Sequence, residues 1–308
     1  MTTISSSSTG AFFERARLDI KDLRSKAEEL QSQLGSGSKL TRSSDNPVAA
    51  SRLRSLSRLE ALSQIDTANA SRANADLTLA DTAMSDMADA IIRARELATQ
   101  AASSTVTGDQ RKAIAAELDQ IGANMLMLSN ARDSNGHALF GGESTGDAYK
   151  LDASGKATYV GTGRSEELPL GEGQSVTRSL TGPQFLNFTG KDGTATDVMA
   201  TVKALSDALK TGAAGVTTAA SDALADLQTG LDTLSTGQTV VGTRLAWIEL
   251  TGERRIDLSE LRSAEEAGIG APDIASTMMR LQETLTVLDA SQASFSRLAN
   301  LNLFDQLR

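Results

Sequence analysis

Three short stretches of this chain hold the residue types of serine acyl-transfer chemistry. Ser36-Gly37-Ser38-Lys39 has the S-x-x-K spacing, Ser44-Asp45-Asn46 reads S-D-N, and Lys210-Thr211-Gly212 reads K-T-G. All three elements of a β-lactamase-type serine hydrolase therefore occur in order, the first placing a nucleophile beside a lysine. Their surroundings do not suit that chemistry. Only four residues separate the first two elements, too few for the helical domain that lies between them in that fold. Lys210 closes a predicted helix, whereas K-T-G belongs on a strand. Sequence rich in Ser and Gly produces such matches readily, so the hydrolase is the remote alternative.

The other candidate groups are weaker still. His137, the single histidine, has no partner at metal-ligand spacing and reads as a turn residue. The acidic pairs Glu28–Glu29 and Glu265–Glu266 read as solvated helix faces. Met84, Met87, Met278 and Met279 suit packing better than a cofactor site. No catalytic, cofactor-binding or metal-binding residue is expected, and the chain is not read as an enzyme.

Composition points the same way. The 308 residues include no cysteine, which excludes disulfides, Cys-ligated zinc and a thiol nucleophile. A net charge of −9, with Lys and Arg scattered, disfavours nucleic acid as a partner. No apolar run reaches the roughly 18–20 residues that span a bilayer, so no membrane is expected. The opening "MTTISSSSTGAFFERAR" lacks the basic start and apolar core of a secretory signal, so any export is expected to use another route. Aromatics are only 3% of residues, and abundant Ala and Leu suit close helix–helix packing.

What must position such residues is a set of helices, and periodicity defines them. Phe13, Ala16, Ile20, Leu23, Ala27, Leu30 and Leu34 alternate spacings of three and four, an a/d seam over a first helix at about 12–34. "GSGSK" (35–39) ends it. Ser44 or Asp45 then caps a second helix, with Pro47 in its first turn. Val48 to Thr107 contain neither Gly nor Pro, and the helix is expected over about 46–104. Its second half carries the cleanest seam: Ala70, Ala73, Leu77, Ala80, Met84, Met87, Ile91, Ala94, Ala98 and Ala101. Thr107 and Gln110 form a capping box for a third helix at about 109–132, folding back antiparallel through Ile114, Leu118, Ile121, Met125 and Leu128.

Character changes at "DSNGHALFGG" (133–142). Residues 141–193 hold eleven of the 25 glycines and both tyrosines, and "KATYV" and "QFLNF" suggest short strands. A short helix is expected over about 195–210. Heptads resume with Leu224, Leu227, Leu231, Leu234, Gln238, Val241, Leu245 and Ile248. "AGIGAPD" (267–273) interrupts, Asp273 caps, and a last seam runs through Ile274, Met278, Leu281, Leu285, Leu288, Gln292, Phe295 and Ala299. Helices from both chain ends thus flank one insertion and must pair with each other. The expected fold is mainly α: an elongated antiparallel helical bundle or coiled coil from both ends, with a small inserted β-rich or mixed lobe. Its segments are 1–40, 41–140, the lobe at 141–215, 216–268 and 269–308.

Five stretches, in order, resemble the flagellin family. They are "LGSGSKLTRSSDNPVAASRL" (34–53), "IIRARELATQAAS" (91–103), "NARDSNGHALFGG" (130–142), "VVGTRL" (240–245) and "LANLNLFDQL" (298–307). Asp45-Asn46-Pro47-Val48, Phe304-Asp305-Gln306-Leu307 and the small lobe are more similar to the members that join hook to filament than to filament flagellin, which stays the nearer alternative. His137-Ala138 departs from a common Arg/Lys-Tyr pair, and 255–272 matches poorly.

The resemblance implies a structural subunit of the bacterial flagellum, exported unfolded by the flagellar type III apparatus to an extracellular position. It implies axial helices that line an inner tube and assemble through Phe13, Ile20, Leu23, Leu30, Leu34, Leu281, Leu285, Leu288, Phe295, Leu301, Leu303, Phe304 and Leu307. Ser44, Asp45, Asn46 and Pro47 become the turn between two assembly layers. Bundle pairing falls to Leu77, Met84, Met87, Ile91, Arg93, Arg95, Glu96, Leu231, Leu234, Val241 and Leu245. The implied partners are further copies of the chain in a ring of roughly eleven, a hook-side junction protein, flagellin, and a cytoplasmic export chaperone on the C-terminal helix. No cofactor is implied. A coiled-coil adaptor is the other remote alternative.

Overall fold

The computed structural model describes residues 4–40, 42–212 and 215–305. It is 71% helical, with long helices from both ends and a small lobe of short antiparallel strands. The helices are α1 (Ile4–Ser36), α2 (Pro47–Ala101), α3 (Gly108–Ser129), α4 (Gly182–Leu186), α5 (Val198–Thr211), α6 (Val216–Gly270) and α7 (Ile274–Asp305). The strands are β1 (Tyr149–Leu151), β2 (Ala157–Tyr159), β3 (Glu167–Gly171), β4 (Gln174–Thr177), β5 (Asn187–Thr189) and β6 (Ala195–Asp197). They pair in sequence order as three separate antiparallel hairpins. Among the described residues no helix is long and apolar enough to cross a membrane.

The chain divides into two compact units, one of residues 1–61 and 257–308, the other of 62–256. Both divisions fall inside helices, α2 and α6, and not at the Gly- and Ser-rich turns where composition changes.

In the first unit the two chain ends pair, as expected, through α1 and α7. Gly37, at φ 65, follows the end of α1. In the break expected over 267–273, α6 runs on to Gly270, and only Ala271–Asp273 leave the helix. Asp273 Oδ1 accepts from Ala275 N at 3.1 Å and so caps α7.

In the second unit all ten seam positions of α2 from Ala70 to Ala101 are buried. The α3 capping box forms: Gln110 N donates to Thr107 Oγ1, and Thr107 N donates to Gln110 Oε1. Arg93 of α2 reaches Glu117 of α3 at 2.6 Å, which ties the returning helix to its neighbour. "QFLNF" is not one strand. Thr181 and Gln184 start α4 here, Thr181 N donating to Gln184 Oε1 at 2.9 Å, with Pro183 in the first turn. Phe185 and Leu186 are therefore helical, Phe188 lies in β5, and Phe185 packs on Phe140 with ring centroids 4.9 Å apart.

The buried face of α6 contains two glycines that apolar periodicity does not reveal. A Cβ on Gly230 would lie 2.7 Å from Val198 Cγ2; one on Gly237 would lie 2.7 Å from Phe185 Cβ and 2.8 Å from Met84 Cε. Neighbouring elements thus touch the α6 backbone. Gly237→Ala gains helix propensity of about 1 kcal/mol but overpacks at about 1–3 kcal/mol, so a net loss of stability is expected in urea unfolding. Gly242→Ala on the same helix meets nothing within 4 Å and should raise stability. Equal shifts for the two variants would contradict this packing.

Candidate assembly surface

The first unit is organised by the line along which α7 meets α1. Thr277, Thr284 and Leu288 are buried there, and Leu281, Ser291 and Phe295 are half-buried, giving alternating steps of four and three. On α1, Ala27 and Leu30 are buried, while Phe13, Ala16, Ile20, Leu23 and Leu34 are half-buried. Phe13 meets Phe295 edge to face, ring centroids 5.5 Å apart. Leu281, Leu288 and Phe295 stand on the line expected from the sequence. Met278, Leu285 and Gln292 do not: Thr277, Thr284 and Ser291, one residue earlier, take their places.

The reason lies in the hydroxyl. Thr284 Oγ1 donates to Arg280 O at 2.7 Å within its own helix, so the residue can bury its methyl group without an unmet donor. The larger apolar side chains consequently turn outward, with Met278 59%, Leu285 44%, Met279 67% and Ile274 65% exposed, joined on α1 by Phe12 and Leu18. Of the remaining axial candidates, Leu301, Leu303 and Phe304 lie in α7 with side chains that are not described, and Leu307 lies outside the described residues.

The turn between α1 and α2 is built from the expected residues with a different division of labour. Pro47 is the first helical residue, so the cap falls to its immediate neighbour: Asn46 Oδ1 accepts from Ala49 N at 3.1 Å. Asp45, expected with Ser44 to cap the helix, instead closes the turn, its Oδ2 accepting from Arg42 N at 2.8 Å. Ser44 Oγ donates to Asp45 Oδ1 at 3.4 Å.

Arg52 and Glu265 form a two-pronged pair at 2.6 and 2.8 Å, and Lys39 N donates to Gly270 O at 2.6 Å. The hydrogen bond from Arg52, and then its charge, hold the Glu265 carboxyl below its ordinary range. A carboxyl lowered in the folded state stabilises above its unfolded pKa and loses that contribution as pH falls through the folded one. The stability difference between wild type and Glu265→Gln should therefore exist at neutral pH, be small because the pair is exposed, and vanish in acid. A difference that grows in acid denaturation curves would contradict it.

In the second unit the bundle candidates Leu77, Met84, Met87, Ile91, Leu234 and Val241 are buried, and Leu231 and Leu245 are half-buried against the same core. Arg93 joins Glu96 and Glu117 on the surface, and Arg95 is half-buried beside them in sequence. Lys210, of the K-T-G match, sits near the end of α5 paired with Asp119 at 2.7 Å, and Gly212 caps that helix with φ 61.

A buried polar anchor, not expected from the sequence, fixes the lobe to the helices. Asn130, just past α3, accepts at Oδ1 from Ala148 N and Tyr149 N at 2.8 and 2.9 Å and donates through Nδ2 to Tyr149 O at 3.0 Å. Asp133 Oδ1 accepts from Asn135 N and His137 N, both at 2.8 Å. Arg178, beyond β4, pairs with Asp133, Asp76 and Glu166. The motif "NARDSNGHALFGG" is thus a hinge plate: one side chain clamps β1, the next ties the exit turn to Arg178. Asp76 gives no local signal, since its partner lies 102 residues away.

Residues 8–145 match the bacterial flagellin N-terminal helical region. The chain is 25% identical to flagellar hook-associated protein 3 of Escherichia coli (strain K12) over 287 residues, covering 88% of this chain and 90% of that one. It is 27% identical to the Salmonella typhimurium protein of the same name over 180 residues, 58% of this chain and 56% of that one. In fold it is similar to the crystal structure of flagellar hook associated protein-3 from Legionella pneumophila, with TM-score 0.62, 15% identity, and coverage of 69% and 97%. The matched region takes in most of α1, the Asn46–Pro47 turn, the α2 seam and the Asn130–Asp133 plate, and over it the chain is similar to the flagellin family.

Proposed function

We propose that this chain is a structural subunit of the bacterial flagellum that stands at the junction between hook and filament. The observation that carries the reading is the outward apolar face of the α1–α7 pair, on a chain similar along nearly nine-tenths of its length to hook-associated protein 3. Met278, Leu285, Ile274, Phe12 and Leu18 are large, apolar and exposed on the two end helices. Ile274, Met278 and Leu285, four and seven residues apart, share one face of α7, and large apolar side chains left exposed together suit an interaction site; further copies of the chain cover them in a closed ring of roughly eleven. The hook-side junction protein adjoins the ring on one side and flagellin on the other.

The chain travels unfolded through the flagellar type III apparatus, after a cytoplasmic chaperone has shielded its C-terminal helix, and works outside the cell. Its role is mechanical and involves no catalysis. A fluorescently labelled copy should mark the hook–filament boundary of isolated flagella, and deletion should leave hooks intact while flagellin is shed into the medium. Label spread along the whole filament, or ordinary filaments in the deletion strain, would defeat the junction reading. Spontaneous long filaments of the purified protein would favour filament flagellin instead.

A further inference from the structure

The exit turn contains the only Asn-Gly pair of the chain, Asn135-Gly136. This pair favours deamidation because glycine leaves the following amide free to reach the asparagine side chain. Gly136 N, having lost its proton, attacks Asn135 Cγ; a C–N bond forms, ammonia leaves, and a succinimide ring results. Water opens that ring at either carbonyl to give aspartate or isoaspartate. Nothing is oxidised or reduced, and water is the only co-reactant.

Asn135 is exposed and borders a cavity of about 400 Å³ with Arg72, His137 and Glu143, so water reaches it. Its backbone, by contrast, is held on both sides. Gly136 N, the attacking atom, donates to Asp133 O at 3.0 Å. Asn135 N and His137 N donate to Asp133 Oδ1, and Asp133 N donates to His137 O at 2.9 Å. Arg132 Nη1 donates to Gly136 O at 2.5 Å. Attack requires the Asn135–Gly136 peptide to rotate, which breaks the bond at its nitrogen, while the Arg132 bond to Gly136 O pins the next peptide and resists that rotation.

We propose that Asn135 is a modification site guarded by the fold: the native turn blocks succinimide formation, and opening the turn releases it. The product is not silent. Isoaspartate lengthens the main chain by a methylene inside a turn closed by Asp133 and His137, and Asp133 also carries the ion pair to Arg178.

The full chain should be incubated at mildly alkaline pH in buffer and in urea, with aspartate and isoaspartate at position 135 quantified by peptide mapping. In urea the site should convert at the rate of a short peptide of the same sequence. In buffer it should convert at least about tenfold more slowly, because only the opened fraction reacts. Arg132→Ala, checked for native helicity, should convert faster than wild type in buffer and equally fast in urea. Equal rates for the folded and unfolded wild-type chain overturn the proposal.

Discussion

Arg178→Met lowers the stability of the lobe-bearing unit by about 3–5 kcal/mol, the cost of leaving buried charges without their partner. The Arg178 side chain is only 15% exposed, and it faces Asp76 at 3% and Asp133 at 0%. Methionine fills much of the same volume, so the loss measures charge and hydrogen bonding more than packing. Two carboxylates would be left inside with the backbone donors of 135 and 137 to serve only one of them. The triple replacement Arg178→Met, Asp76→Leu, Asp133→Asn should recover part of the loss, because it removes the stranded charge. Urea unfolding followed by circular dichroism reads both. A single-variant loss below about 1 kcal/mol would mean that water reaches the anchor.

The second large effect separates folding from assembly. Leu285→Asp should leave the monomer folded, within about 0.5 kcal/mol of wild type, because that side chain is 44% exposed. It should nevertheless abolish incorporation into flagella, since it puts a charge on the face proposed to be covered by neighbouring copies. Leu288→Asp, at a position only 7% exposed, should instead break the α1–α7 line itself and lose helicity in the free chain. Monomer helicity and the amount recovered in purified hook–filament preparations give the two readouts. If Leu285→Asp assembles normally, the outward face is not the contact.

The α2 seam was legible in the sequence because one apolar period ran through it with no competing pattern, and all ten positions are buried. On alternate turns of the last helix the inward residue, Thr277, Thr284 or Ser291, stands one position before the one that the apolar spacing predicts. Hydropathy counts threonine as polar, yet Thr284 satisfies its hydroxyl within the helix and packs its methyl inward. Gly230 and Gly237 carry no apolar signal at all, although their missing Cβ atoms set how close α6 comes to its neighbours. The cap falls on Asn46, one residue past Asp45 and two past Ser44, because Pro47 fixes where the helix begins. The Arg178 anchor joins segments far apart in the chain, so no local window could show it. Periodic, local features were readable, whereas long-range polar pairing and close backbone approach were not.

On the α7 side of its line with α1, large apolar residues alternate with threonine and serine. Each small residue removes less apolar surface from water than a leucine would, so the helix keeps its strongest adhesive for the outside. In the free chain the two ends should therefore unzip before the rest, visible as a small early step in scanning calorimetry. A chain whose two ends unpair together offers loose leads for threading, and little work is needed to start drawing it through a narrow bore.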